Sequence, residues 1–263
     1  MVSQIDVTTR EACKTVSWIG VKMNDHRSIN ERRLSASLAS GGISADPIYE
    51  TFIKILVDLD LKGDLMDFGS GTGNLIKLIH KLQRFSTITG ADLMSRPPGL
   101  DSEIGWKTCD LNETQDVDAE SYDVIVSSEV IEHLENPRHI VREWFRLLRP
   151  GGHLVFSTPN NESWRSLASV IFRGHFAAFS DACYPAHITA LLHKDIERIL
   201  IEAGFERPFF EYTDSGGIPK FPHITWQSVS VGLLRGLGFS DNLVSISKKP
   251  QQKRLVSEYI QHP

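Results

Sequence analysis

Residues 67–73 read Asp67-Phe68-Gly69-Ser70-Gly71-Thr72-Gly73 and lie between two apolar runs, Leu65 to Phe68 and Leu75 to Leu82. The first run is short enough for a strand. The second has the spacing of a helix, with Leu75, Ile76, Leu78, Ile79 and Leu82 apolar. Glycines at alternate positions permit a tight turn and let a ligand lie against bare backbone. A helix opening just after them offers unpaired N–H groups. Taken alone, the segment could also be a plain strand-to-helix turn.

The alternation continues along the chain. Thr87 to Ala91 reads as a strand ending at Asp92, Ile104 to Cys109 as a weaker one, and Tyr122 to Ser127 as a strong one. His139 to Leu148 reads as a helix, Leu154 to Ser157 as a strand, and Lys194 to Ala203 as an amphipathic helix stopped by Gly204. Phe209 to Thr213 and Leu243 to Ser247 form a final pair of strands. Strands alternating with helices imply an α/β fold with a doubly wound, mainly parallel sheet covered on both faces.

A chain of 263 residues is long enough for one such domain with decorations. The expected domain spans residues 47–250, with cap insertions at about 160–190 and 214–241. Residues 1–46 are expected to form a loosely ordered or helical N-terminal cap, and residues 251–263 a tail. Asp46-Pro47 is the expected start of a helix carrying Ile48, Phe52, Ile55, Leu56 and Leu59, with the Asp46 side chain capping exposed N–H groups.

The formal net charge is -5, which argues against a dedicated nucleic-acid binder. Cys13, Cys109 and Cys183 form neither a disulfide framework nor a zinc-ribbon spacing. Met1 to Ile19 lacks the apolar core of a signal peptide, and no stretch approaches the ~18 apolar residues of a membrane span. The expected location is the cytoplasm.

The glycine spacing discriminates among ligands. Nicotinamide folds use G-x-G-x-x-G, and phosphate loops end in a lysine. Here the pattern is G-x-G-x-G without that lysine. Asp92 ends the second strand, where a carboxylate can accept both ribose hydroxyls. Asp110 ends the third, where it could accept from an adenine amino group with Leu111 against the ring. S-adenosylmethionine (SAM) carries an amino group, a sulfonium, a ribose and an adenine, and no phosphate, so acids suit it. The expected cofactor-binding residues are Asp67, Gly69, Ser70, Gly71, Gly73, Asp92, Leu93, Asp110, Leu111 and Ser128.

Residues 64–158 resemble the SAM-binding core of class I methyltransferases, in particular the broad group containing ubiquinone-biosynthesis O-methyltransferases. Asp67 to Gly73, Asp92, Asp110, Tyr122 to Ser127 and the turn Leu148-Arg149-Pro150-Gly151-Gly152 carry the resemblance. It implies a seven-stranded sheet whose last strand is antiparallel.

Ser128-Glu129-Val130-Ile131-Glu132-His133 follows the fourth strand. If the chain turns into a helix there, Glu129, Glu132 and His133 share one face. Such a group could hold a divalent ion, Mg²⁺ or Zn²⁺, that lowers the pKa of a substrate hydroxyl, with His187 as a fourth ligand. The run resembles the Glu-x-x-Glu-His stretch of ubiquinone O-methyltransferases and of small-RNA 2′-O-methyltransferases, which implies ligand roles for Glu129, Glu132 and His133. Two other readings stay open. His133 could be a metal-free general base, or Glu132-His133 could only brace the loop.

Trp164, Phe172, Phe176, Phe179 and Tyr184 could line an acceptor pocket or form the core of the first cap. Arg165, Arg173, His175 and His187 are its polar candidates. Residues 218–239, with Trp226, Val229, Val231, Leu233, Leu234, Leu237 and Phe239, could pack on the sheet, serve as a lid or dimer face, or meet a membrane surface.

The expected reaction is in-line methyl transfer to an oxygen of a small-molecule or glycan hydroxyl. A quinone-type phenol and an RNA 2′-hydroxyl stay open as acceptors. Two rival classes are a nicotinamide-dependent oxidoreductase, opposed by the glycine spacing, and a SAM-binding protein without activity.

Overall fold

The computed structural model describes residues 28–251. Residues 1–27 and 252–263, with Cys13 and most of the expected tail, lie outside them.

Seven strands form one sheet: β1 (Gly63–Phe68), β2 (Phe85–Asp92), β3 (Gly105–Thr108), β4 (Tyr122–Ser128), β5 (Leu148–Pro159), β6 (Phe209–Tyr212) and β9 (Asn242–Lys248). Their order is β3-β2-β1-β4-β5-β9-β6. β1 to β5 pair in parallel, and β9 runs antiparallel to both β5 and β6. This is the expected doubly wound sheet with its antiparallel last strand. The order reverses between β1 and β4, and the crevice outside their carboxyl ends is where such sheets bind ligands.

Both faces are covered. Leu65, Val124, Val126 and Val155 point to one side, against α2 (Asp46–Asp58) and α3 (Asn74–Lys81). Met66, Phe68, Ile125, Leu154 and Phe156 point to the other, against α4 (Pro137–Leu147) and α6 (His193–Ala203). Near-continuous apolar strands are what a parallel sheet buried on both faces requires. Trp144 sits between the rings of Phe68 and Phe156 at 5.7 and 5.1 Å.

Residues 28–46 contain α1 (Ile29–Ser40). Ser28 and Glu31 form a reciprocal capping box at its start, and Gly41 ends it in the left-handed conformation. At the start of α2 the cap differs from expectation. Ala45 is the capping residue and makes no side-chain bond, because Asp46 already lies within the first helical turn. The expected turn at Leu148–Gly152 is the irregular start of β5. Leu148 already pairs with Tyr122, and the register slips before Val124.

The first insertion holds α5 (Trp164–Arg173) and a short 3-10 turn at Asp181–Cys183. The second holds a hairpin of β7 (Gly217–Ile218) and β8 (Phe221–Thr225), and the short α7 (Trp226–Val229). No helix among the described residues is long and apolar enough to cross a membrane.

Candidate active site

The glycine loop is held down by its own hydrogen bonds. Gly69 and Ser70 both donate their N–H to Ala91 O, at 2.8 and 3.1 Å. Ser70 Oγ donates to Asp67 O at 2.8 Å. A side chain at Gly69 would collide with Val130, and one at Gly71 with the carbonyl of Gly42; both glycines have positive φ. The loop therefore needs glycine for space as well as conformation.

Asp67 is 1% exposed, and neither of its carboxylate oxygens has a hydrogen-bond partner. Burial, with Asp92 nearby, lifts its pKa to about 7. An unpaired buried acid facing a cavity is a strong claim on a cation or a donor. Asp92 is also buried, but both of its oxygens accept from backbone: Oδ2 from Gly71 N and Oδ1 from Met94 N, each at 2.8 Å. It ties the end of β2 to the glycine loop.

Asp110 is engaged in another way. Arg33, from α1, donates from Nη1 to Asp110 Oδ2 at 2.7 Å and to Glu113 at 3.0 Å. Its Nη2 and Nε reach Glu135 at 3.0 and 3.1 Å. Asp110 Oδ1 accepts from Asn112 N at 2.9 Å. The segment after α1 crosses the glycine loop, where Thr72 N and Oγ1 donate to Gly42 O at 3.1 and 3.2 Å. Ser128 Oγ then meets Ser44 Oγ at 2.9 Å. Residues 28–46 thus form a strap over the strand ends.

Beneath the strap lies a cavity of about 520 Å³, within the range of small-molecule sites. Asp67, Gly69, Ser70, Gly71, Asp92, Leu93, Asp110, Leu111, Ser128, Glu129, His133 and His187 all line it. Two expected site residues do not. Gly73 is the N-terminal cap of α3, and Glu132 is fully buried behind the wall.

The acid–imidazole group forms differently from the expected helical face. β4 pairs with β5 as far as Ser128, and Glu129 then takes a left-handed φ of 55°. Its N–H donates to Ser157 Oγ at 3.0 Å, and a 3-10 turn at Ile131–His133 follows. The tight turn after a strand end sends Glu129 toward the cavity and Glu132 inward.

The side chains still converge. Ligand atoms of Glu132, His133 and His187 lie within 4.8 Å of one another. Glu129 Oε2 accepts from Asn242 Nδ2 at 2.7 Å, and Glu132 Oε2 from Thr158 Oγ1 at 3.2 Å. Glu129 Oε1, Glu132 Oε1 and His187 Nδ1 are buried without partners. His133 Nδ1 lies 2.7 Å from Ala186 O, so it carries the proton and Nε2 the lone pair. Burial raises Glu129 well above the ordinary range, raises Glu132 to about 8, lowers His133 and lowers His187 to about 4. All four are driven toward neutrality.

The sequence reading missed Arg33, Ser44, Tyr49 and Asn242, all in the cavity wall. A signal existed for the first two. Ser28-x-x-Glu31 is a capping box, and Gly41-Gly42 marks the end of a helix just before the domain.

A glycine turn at a topological switch point, with carboxylates on three successive strand ends, defines a Rossmann-like sheet of the class I SAM-dependent methyltransferases. The chain belongs to the methyltransferase domain family, whose model matches residues 45–207. It is similar to the mitochondrial ubiquinone biosynthesis O-methyltransferase of Rattus norvegicus, 28% identical over 124 residues, which cover 43% of this chain and 35% of that one. The ubiquinone biosynthesis O-methyltransferase of Vibrio parahaemolyticus is 33% identical over 116 residues, covering 41% and 47%. The matches span between a third and a half of the length of these curated relatives. The solved SAM-dependent methyltransferase of Archaeoglobus fulgidus shares the fold, with a TM-score of 0.57 at 17% identity, over 80% of this chain and 96% of that one.

Proposed function

We propose that the chain transfers a methyl group from SAM to a hydroxyl oxygen of a small-molecule or glycan acceptor. One observation carries the reading: a single cavity joins the unpartnered carboxylate of Asp67 to the cluster of Glu129, His133 and His187. Asp67 fits the amino group of SAM, and the bare backbone of Gly69 and Gly71 leaves room beside it. Asp92 retains lone pairs for ribose hydroxyls. Leu93 and Leu111 offer apolar surface to the adenine. SAM supplies a sulfonium-bound methyl with a built-in leaving group, so the protein's task is alignment and proton removal.

His133 is suited to the second task. Ala186 O accepts from Nδ1, burial favours the neutral ring, and the other ring nitrogen can take the hydroxyl proton as the C–O bond forms. The O-methylation carried out by the similar ubiquinone biosynthesis enzymes favours oxygen as the acceptor atom.

The three unpartnered atoms of Glu129, Glu132 and His187 favour a second reading of the same cluster. Two carboxyls and two imidazoles fit a divalent cation held by Glu132, His133 and His187 with Glu129 beside it, the carboxyl protons being released to solvent as it binds. Mixed nitrogen and oxygen donors suit Mn²⁺, Fe²⁺ or Zn²⁺ better than Mg²⁺. Bound there, the cation would acidify the acceptor hydroxyl.

Transfer of labelled methyl from SAM to a panel of sugars and phenols tests the proposal. The expected result is O-methyl product with an equal amount of demethylated cofactor. SAM binding without transfer to any acceptor, or transfer only to nitrogen, would overturn it. A chelator separates the two readings. Under the metal reading it abolishes transfer while SAM still binds. Full activity in excess chelator leaves His133 as the metal-free base.

A further inference from the structure

The cavity that joins Asp67 to the acid–imidazole cluster is unevenly charged. Its wall carries the carboxyl groups of Asp67, Asp92, Asp110, Glu129 and Glu135. Among the described residues, Arg33 is the only lysine or arginine in that wall. Its guanidinium is already bonded to three carboxylates, those of Asp110, Glu113 and Glu135, at 2.7 to 3.0 Å.

Proteins hold phosphate, sulfate and carboxylate groups with lysine, arginine or free backbone N–H groups. The N–H groups around the cluster are engaged within the protein. Glu129 N donates to Ser157 Oγ at 3.0 Å, and His133 N to Val130 O at 2.9 Å. His187 N donates to Cys183 O at 3.0 Å, and Ile188 N to Glu132 O at 2.9 Å. Glu135 N donates to Asn112 Oδ1 at 2.9 Å. The wall beside His187 is formed by Tyr184, Pro185 and Ile188, which bring no charge.

An anion entering this end would give up water without gaining a cation or a backbone donor, and burying an unpaired charge is costly. SAM meets the wall as a net cation, because its ammonium and sulfonium outnumber its carboxylate. A divalent cation at the cluster leaves the balance unchanged, since the carboxylates of Glu129 and Glu132 match its two charges.

We propose that the acceptor end of the cavity is closed to anions, so that the methyl acceptor is an uncharged hydroxyl compound. The inference rests on the methyl-transfer reading above and narrows it. It excludes RNA hydroxyls, which stand beside phosphates, together with sugar phosphates, uronic acids and carboxylated phenols.

Two measurements test this, and the first needs no acceptor. Ile188 lines the cavity and is 44% exposed, so Ile188→Cys sets a thiol in the wall. With the demethylated cofactor in excess, that thiol is treated with 2-hydroxyethyl methanethiosulfonate, which is neutral, or with the anionic 2-sulfonatoethyl reagent. Rates are read by mass spectrometry of the modified peptide and divided by those for 2-mercaptoethanol. Unchanged thermal melting is the folding control. The anionic reagent should be at least roughly tenfold slower, and ~0.5 M salt should narrow the gap. Glu135→Gln in the same background should narrow it by about threefold. The second measurement compares kcat/KM for matched acceptors, a glucoside against the glucuronide and catechol against 3,4-dihydroxybenzoate. The uncharged member of each pair should be favoured by at least roughly tenfold. Equal normalised rates for the two reagents, or faster transfer to the anionic acceptors, would overturn the proposal. If no acceptor is methylated while the anionic reagent is still held off, the transfer reading fails and the exclusion of anions stands.

Discussion

Asp67 is buried in the cavity wall with neither carboxylate oxygen paired. Its carboxyl is lifted from the ordinary range to about 7, first by burial and then by Asp92. The folded state thus favours the protonated acid, and the unliganded protein loses stability as pH rises from ~4 through 7. A bound ammonium reverses the preference by pairing with the carboxylate. SAM affinity should therefore rise by about tenfold per pH unit below ~7 and level off above it. Titration calorimetry across that range checks this, and Asp67→Asn should flatten the profile and cost roughly 1.5–3 kcal/mol of binding. A flat wild-type profile would mean that the amino group sits elsewhere. Residue type and spacing were enough to single out Asp67, Asp92 and Asp110. They could not reveal that Asp92 accepts from Gly71 N, or that Asp110 meets Arg33, because those partners arrive from distant segments.

At the scale of elements, α1 is the part that sequence pattern conveyed least. It carries no strong apolar stripe, so periodicity passes over it, and only its capping box and terminal glycines mark it. What holds it across the cavity is Arg33 on three carboxylates, at 2.7 to 3.0 Å. Glu113 and Glu135 are largely exposed, so the pairs are screened and each contributes only ~0.2–1 kcal/mol. Arg33→Gln should therefore loosen the strap without unfolding the domain. Stopped-flow measurement should find SAM leaving several times faster, about fivefold for ~1 kcal/mol. Added salt should speed release from the wild type and leave the variant unchanged. Equal release rates would show that the strap does not retain the ligand. The central strands were readable as short apolar runs, and the helices α3, α4 and α6 from their apolar spacing, with Gly204 after Ala203 stopping α6. The segment after β4 misled for a physical reason: Glu129 to His133 has helical spacing, but the hydrogen bond from Glu129 N to Ser157 Oγ and the left-handed Glu129 turn it into one 3-10 turn.

Across the whole molecule, Asp67, Asp92 and Asp110 stand at the carboxyl ends of the parallel strands, and the insertions beyond β5 expose apolar side chains such as Phe172 and Leu233. The sheet itself is an ordinary two-faced core that holds Asp67, Asp92 and Ser128 at fixed strand ends. The central claim is that this crevice is built for the aminoacyl nucleoside SAM and not for a dinucleotide. Isothermal titration of the full chain with SAM, its demethylated product and NAD tests it most directly. The account predicts micromolar binding of SAM or its product, ~8 kcal/mol, and no heat from NAD. Tight NAD binding with no heat from SAM or its product would contradict it.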